Sequence, residues 1–289
     1  SQNSYENLWI QPASGDAGGS LGAAFNYWYI ELKNKRYVNK EDSMKGSFLG
    51  TSFDNKLIEA SLKSNGAVFK KLDDKELLFK TAKALSNGKA IGWFRNRMEF
   101  GPRSLGARSI LCDARPLESQ KKLNIKVKFR ESFRPFAPVI LEEELKNWFE
   151  LNTISPYMLL VAKVLKSIRK KMTTKQKNLF GIDKLNIKRS SVPAVTHIDY
   201  SARIQTVNKT TNKDLYSLLI EFNKITSCPI LINTSFNIRG EPIVQSPKDA
   251  FNCFMGTDLD VLVIGSFYLI KKDQNKALLL DYRNRFNLD

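Results

Sequence analysis

Four arginines fall within fourteen residues at Arg95, Arg97, Arg103 and Arg108, two of them in a turn that also bears Gly101, Pro102 and Gly106. Such a cluster repels itself unless an anion or nearby carboxylates neutralise it. Guanidinium groups stay charged and recognise phosphate or carboxylate oxygens in a planar, bidentate way, so the stretch reads as a polyanion site. Local pairing with Glu99 and Asp113 accounts for it equally well on its own. A second basic cluster tips the balance toward a site. Lys126-Val127-Lys128-Phe129-Arg130-Glu131 runs into Ser132-Phe133-Arg134-Pro135-Phe136-Ala137-Pro138, alternating basic and apolar residues. On a strand, Lys128 and Arg134 would share one face. Pro135 and Pro138 weaken that geometry, and an edge strand guarded by lysine is the plain structural alternative.

A third cluster comes off a hydrophobic strand. Asn233, Ser235, Asn237 and Arg239 stand within Leu231–Pro242 and pack amide and hydroxyl groups beside one arginine. Buried strands of α/β sheets deliver ligand-binding groups from their C-terminal ends. A polar turn explains Asn237 and Gly240 but not this density of hydrogen-bonding groups. Near the start, Gly15, Gly18 and Gly19 flank Asp16 in a phosphate-type loop ahead of a helix whose apolar face is Leu21, Ala24, Phe25 and Trp28. The single histidine, His197, with Arg203 six residues on, excludes two-histidine metal sites. It is kept as a candidate ligand-binding residue beside the commoner role of a hydrogen-bonded structural histidine.

These groups need a scaffold, and the periodicities supply one of mixed α and β type. Strands are expected at 7–11, 67–71, 90–95, 136–141, 157–165, 194–198, 202–207, 229–233 and 259–270. Helices are expected at 53–63, 74–86, 118–125, 143–150, 212–225 and 247–255. Asp73 with Glu76 forms a capping-box signature, and Ser246 before Pro247 marks the start of the last helix. An irregular stretch from Lys33 to about Asn55 reads as a linker between residues 1–50 and a second domain over 51–289. The lysine- and arginine-rich run between Lys166 and Arg189 reads as a solvated insertion.

Composition narrows the function further. The chain has 289 residues, 46 basic against 29 acidic side chains and a net charge of +17, which attracts anionic partners over long range. Cys112, Cys228 and Cys253 are few, odd in number and far apart, arguing against disulfides and structural zinc. No apolar run reaches the roughly 20 residues of a membrane helix, and the opening residues do not read as a signal peptide. A reducing, cytoplasmic setting without membrane contact is expected.

Taken together, Gln11–Ala24, Gly92–Pro116, Lys128–Pro138, Ser155–Val164, Pro193–Val207 and Ile232–Ala250 resemble the O-carbamoyltransferases of the nodulation and antibiotic-tailoring type. The resemblance implies α/β architecture: a YrdC-like domain over 51–289, preceded by the last piece of a Kae1-like (sugar-kinase/actin-type) domain over 1–50. It implies a YrdC-like part that forms carbamoyl adenylate from carbamoyl phosphate and ATP, the co-substrate. The carbamoyl group would then pass to a hydroxyl of a sugar or natural product in the mostly absent Kae1-like region, a necessary partner. Carried over by motif, Lys128, Arg103 and Arg134 would be catalytic. Arg108, Arg203, Arg239, Asn233, Ser235, Asn237 and His197 would bind substrate or nucleotide. Asp16 would complete an iron-type metal site whose histidines lie outside this chain. A nucleic-acid-binding module of YrdC-like fold is the rival reading, prompted by the net charge. Against it, the arginines sit in glycine and proline turns and not in a basic stripe interleaved with stacking aromatics.

Overall fold

A computed structural model describes residues 9–39 and 42–282. Helix α1 (Asp16–Asn26) runs on into a wider helical turn, Tyr27–Glu31, and buries none of its residues. Trp9 to Gln11 form no strand, and Asn7 and Leu8 lie outside the described residues. Helix α2 (Asn55–Ser64) begins where the Asp54 carboxylate accepts the Leu57 amide, and the chain leaves it through Gly66 at a φ of +69°. Strand β1 (Lys70–Lys71) precedes α3 (Asp74–Ser86), whose cap Asp73 accepts the Glu76 amide. There follow β2 (Ile91–Phe94), β3 (Arg108–Asp113), α4 (Glu118–Lys126), β4 (Ala137–Leu141), α5 (Leu145–Trp148), β5 (Leu160–Lys163), α6 (Thr174–Lys177) and α7 (Gly181–Leu185). The chain closes with β6 (Ser201–Val207), α8 (Lys213–Thr226), β7 (Ile230–Ser235), α9 (Pro247–Gly256), β8 (Val261–Ile264) and β9 (Phe267–Ile270). Helix α9 starts with the reciprocal Ser246–Asp249 capping box and Pro247, as its sequence signature requires.

The described residues form one mixed sheet in the order β1-β9-β8-β2-β3-β7-β4-β6-β5. Only β2 with β8 and β4 with β6 run parallel; the other neighbours are antiparallel. Helices α3 and α8 pack on each other and reach β3, β4 and β7, while α9, backed by α2, packs on β2 and β8. Strands β2, β3, β4 and β8 are buried throughout, and β7 up to Asn233, with Thr234 and Ser235 half-buried. Their apolar runs, such as Ile230-Leu231-Ile232 and Val261-Leu262-Val263-Ile264, suit strands covered on both faces.

Several expected elements change in the structure. Strand β3 was not expected, because Arg108, Ser109 and Asp113 break its apolar pattern, yet all six residues are buried. The single strand expected over 259–270 is the hairpin β8–β9, turned at Gly265 with a φ of +54°. Pro193 starts a 3₁₀ turn, Pro193–Val195, where a strand was expected over 194–198. The 157–165 strand shortens to β5, Met158 ahead of it having a φ of +56°. The segment Lys128 to Phe136 is a loop and not a basic-faced strand.

The stretch expected as linker is packed in part. Met44, Gly46 and Ser47 are buried; the Phe100 amide donates to Ser47 O at 2.7 Å and the Met98 amide to Thr51 O at 2.8 Å. Met44 joins Leu105, Ala137, Tyr157 and Met158 in a small apolar cluster of its own. In the basic run, α6 and α7 are single helical turns, and Arg189 anchors the second: its buried guanidinium donates to the carbonyls of Lys184 and Leu185 in α7 and to those of Thr196 and His197. Among the described residues no helix is long and apolar enough to cross a membrane.

Gly92 on β2 tests how tightly this scaffold is closed. A Cβ there would stand 2.6 Å from the Phe236 ring. Gly92→Ala should therefore lower unfolding free energy by about 1–3 kcal/mol in urea titration; an unchanged midpoint would refute the packing described.

Candidate functional site

Beyond the C-terminal end of β7 the chain turns back through Phe236 to Pro242 and meets the loop that follows α4. Between them lies a cleft of ≈ 400 Å³ lined by Lys128, Arg130, Arg134, Ser235, Asn237, Arg239 and Glu241, among others. Five residues expected in the site, Lys128, Arg134, Ser235, Asn237 and Arg239, thus meet in one place. The burial of Phe236 anchors the turn, its amide donating to Arg108 O at 3.0 Å. Ile238 N donates to Glu241 Oε2 at 2.8 Å and Asn237 Nδ2 to Glu241 O at 2.6 Å, which folds the turn over Lys128.

Lys128 is the deepest cation of the cleft, only 3% exposed. Its Nζ donates to Asn237 Oδ1 at 2.8 Å, Asn237 O at 2.9 Å and Ser235 Oγ at 3.1 Å, and to Ser235 O. Burial, aided by Arg130, pushes its pKa down to about 7 although these oxygens favour the ammonium. Arg130, held by Asn124 Oδ1 at 2.7 Å and lying over the Phe136 ring, is pushed down to about 10 by burial and by Arg134. Glu131 bridges the two outer arginines, with Arg134 Nε at 3.0 Å and Arg239 Nη1 at 3.2 Å. Burial raises the Glu241 carboxyl, which also accepts a hydrogen bond from the Tyr282 hydroxyl.

Arg103 is placed elsewhere. It lines a second cleft of ≈ 230 Å³ with Gly15, Ser47, Pro102 and Tyr157. Arg203 is near it: burial first, then Arg103, pushes the Arg203 guanidinium below its usual range. Asn233 is buried and lines neither cleft, donating to Ser104 O at 3.1 Å and Gln205 Oε1 at 2.6 Å. Arg108 lies in the core, stacked 3.5 Å from the Phe94 ring centroid and donating to the carbonyls of Thr51, Arg95, Asn96 and Ala107. That placement holds chain segments together and leaves no guanidinium face for a ligand. His197 lines a small crevice with Gln120, Pro135 and Leu185 and meets neither cleft.

The local pairing considered for the arginine turn takes another form. Asp113 binds Arg115 in a bidentate pair, with Nη2 to Oδ2 at 2.7 Å, and Glu99 accepts backbone amides. Arg95 pairs with Asp74 and Asp214, and Arg97 donates to Gly50 O. Arg130, Glu131 and Glu241 were missed as site residues. The Lys-x-Arg-Glu spacing was the available signal for the first two, but Glu241 is visible only once the turn is folded.

At the other end of the second cleft, Gly15 caps α1 without a side-chain bond, and Gly18 packs against the backbone, where a Cβ would meet Ala13 O at 2.1 Å. Gly19 has open space around it. Asp16 is exposed in the first turn of α1, and among the described residues no group of three or more His, Cys, Asp or Glu side chains is placed to hold a metal. The described residues therefore do not by themselves fit a metal ion.

A profile of the carbamoyltransferase C-terminus matches residues 82–272, which contain both basic loops and the β7 turn. The chain belongs to the carbamoyltransferase family. An uncharacterized protein of Synechocystis sp. is 52% identical over 275 residues, covering 94% of this chain and 45% of that protein. Nodulation protein NolO of Bradyrhizobium diazoefficiens is 39% identical, covering 93% of this chain and 45% of its own length. The carbamoyltransferase chain thus spans less than half of these relatives. The solved structure of full-length HypF in its phosphate- and nucleotide-bound form is more distant, at 19% identity and a TM-score of 0.42 over 68% of this chain and 22% of that one.

The Lys128 pKa has a measurable sign. At pH 8 the empty cleft holds Lys128 mostly neutral, and a phosphate placed beside it favours the ammonium. An anion bound beside Lys128 at pH 8, with sulfate as the probe because it does not itself titrate there, should then bring uptake of close to one proton, read from calorimetry in buffers of different ionisation enthalpy. Lys128→Met should abolish that uptake; equal uptake by both proteins would remove Lys128 from the account.

Proposed function

We propose that this chain forms carbamoyl adenylate from carbamoyl phosphate and ATP, for transfer of the carbamoyl group to an acceptor hydroxyl. The observation that carries the reading is the convergence of Lys128, Arg130, Arg134 and Arg239 on one polar cleft in a member of the carbamoyltransferase family. Preorganised cations of this kind stabilise charge that develops on leaving phosphates without reorganising during the reaction.

The step balances with one water. Water cleaves carbamoyl phosphate to carbamate and inorganic phosphate. A carbamate oxygen then attacks the α-phosphorus of ATP, and the bond to the departing pyrophosphate breaks. In this reading Lys128, Arg134 and Arg239 hold the phosphates, with Arg130 beside them. Asn233, Ser235 and Asn237 orient the carbamoyl or nucleotide groups, and Arg103 with Arg203 engages a further anionic group from the second cleft. Arg108 and His197 have no ligand role in it. The domain division at about residue 50, the YrdC-like and Kae1-like assignments and the role of Gly15, Gly18 and Gly19 as a phosphate loop belong to the same proposal. So does the use of outside ligands with Asp16 for an iron-type metal, through which no step here is routed. The acceptor, a sugar or natural product, would be held by chain outside this one.

The test is pyrophosphate release by the full chain, which should require carbamoyl phosphate and ATP together. Arg239→Ala and Arg134→Ala should each lower that rate by about a few hundredfold to a thousandfold, the loss typical of one donor to a charged transition state. Both variants should keep the wild-type unfolding midpoint, because these side chains are partly exposed. Failure of calorimetry at low salt to detect either ligand, or tight RNA binding that carbamoyl phosphate does not displace, would overturn the reading.

A further inference from the structure

The turn that carries Arg103 has no regular secondary structure, yet its backbone is bonded along most of its length. Gly101 and Gly106 both take a φ of +108°. The carbonyl of Ser104 accepts from Asn233 Nδ2 at 3.1 Å, and that of Leu105 accepts from Gln205 Nε2 at 2.8 Å. The carbonyl of Gly106 accepts from Trp93 Nε1 at 3.0 Å and Asn212 Nδ2 at 3.2 Å. On the amide side one carboxylate does most of the work. Glu99, only 4% exposed, accepts from Leu105 N and Ala107 N at 2.7 Å each and from Arg108 N at 3.2 Å.

A buried carboxylate that spends itself on amides is a costly device unless the geometry it enforces has a use. Here the enforced geometry is electrostatically unfavourable. Gln205 of β6 bonds this turn at Leu105 O and Arg203 stands two residues before it on the same strand, so the turn brings Arg103 toward Arg203; among the described residues neither guanidinium has a hydrogen bond or an ion pair of its own. Two cations left near each other in the empty protein need a stiff support, since a flexible turn would let Arg103 swing away into water.

We infer that Glu99 is a positioning residue: by accepting the amides of Leu105, Ala107 and Arg108 it fixes the 101–106 turn and holds Arg103 toward Arg203, ready for a phosphate-bearing ligand. The inference rests on Arg103 being a ligand contact, as proposed above. Glu99 itself touches no ligand; it acts through the backbone. Gln keeps the shape of Glu but presents an NH2 group to one of the amides, so Glu99→Gln should loosen the turn.

The test uses the full chain, ATP as titrant, and amide hydrogen exchange. E99Q should speed exchange at Leu105, Ala107 and Arg108 and weaken ATP binding roughly 10- to 100-fold, the scale of a misplaced binding group. R103A should weaken binding to a similar extent with wild-type exchange. The double variant E99Q/R103A should bind no more weakly than R103A, whereas E99Q/R239A should show additive losses because Arg239 lines the other cleft. E99D keeps the charge beside Arg108 with a shorter reach and should fall between E99Q and wild type; it carries the same comparison should E99Q fail to fold. Unchanged exchange in E99Q, or losses that add in E99Q/R103A, would overturn the inference alone. Wild-type ATP binding by R103A would overturn the assignment of Arg103, and this inference with it.

Discussion

The governing constraint is the repulsion among cations that the fold holds close together. A guanidinium or ammonium moved out of water loses solvation, and a second cation nearby adds to the cost. The structure meets that cost with oxygens of the chain itself. Lys128 is surrounded by two carbonyls, a hydroxyl and an amide oxygen, and Arg108 by four carbonyls and an aromatic face. Glu131 stands between Arg134 and Arg239 and pairs with both. These compensations differ in kind. Neutral oxygens orient the buried Arg108 and Lys128 without cancelling the cost of their charge, and the Lys128 pKa falls accordingly, whereas the half-buried Glu131 carboxylate neutralises the outer arginines directly.

The sheet makes this arrangement possible because β7 lies between β3 and β4 near its middle. Asn233 and Ser235 are two residues apart on β7 and so point to the same face, their Cα atoms roughly 7 Å apart. One reaches Ser104, beside the Arg103 turn; the other holds Lys128. Antiparallel pairing of β3 with β7 brings the end of the arginine turn against the start of the 236–242 turn, where Phe236 N meets Arg108 O. Two loops far apart in the chain are thereby registered to each other by backbone hydrogen bonds.

Much of this was legible in the residues. Two helix starts were marked by Asp73 and Ser246, because capping depends on local chemistry alone, whereas the start of α2 was expected two residues early and its cap Asp54 was missed. The carbamoyltransferase resemblance was carried by long stretches whose residue types are tied to chemistry, and the family match agrees with it. The sorting of the arginines was not legible. Arg95, Arg97, Arg103 and Arg108 look alike in sequence, and only tertiary contact separates Arg108 in the core from Arg103 at a cleft. Strand β3 was hidden for a related reason: a buried strand that begins with Arg108 and ends with Asp113 violates the apolar pattern. Carbonyl acceptors take the two terminal nitrogens of Arg108, although its buried Nε has no partner, and Arg115 pairs with Asp113, so the charges are tolerated inside.

The two clefts are tied together by the chain and not by a shared lining: Asn233, two residues from Ser235 on β7, is buried and lines neither of them. A cation contributes most to binding an anion when its place is fixed in advance, since ordering a loose loop on binding consumes part of the gain. Four buried polar side chains do that fixing for the stretch after Arg103. Asn233, Gln205 and Asn212 donate to the carbonyls of Ser104, Leu105 and Gly106, and Glu99 accepts the amides of Leu105, Ala107 and Arg108, so a segment without regular secondary structure is held from both sides of its backbone.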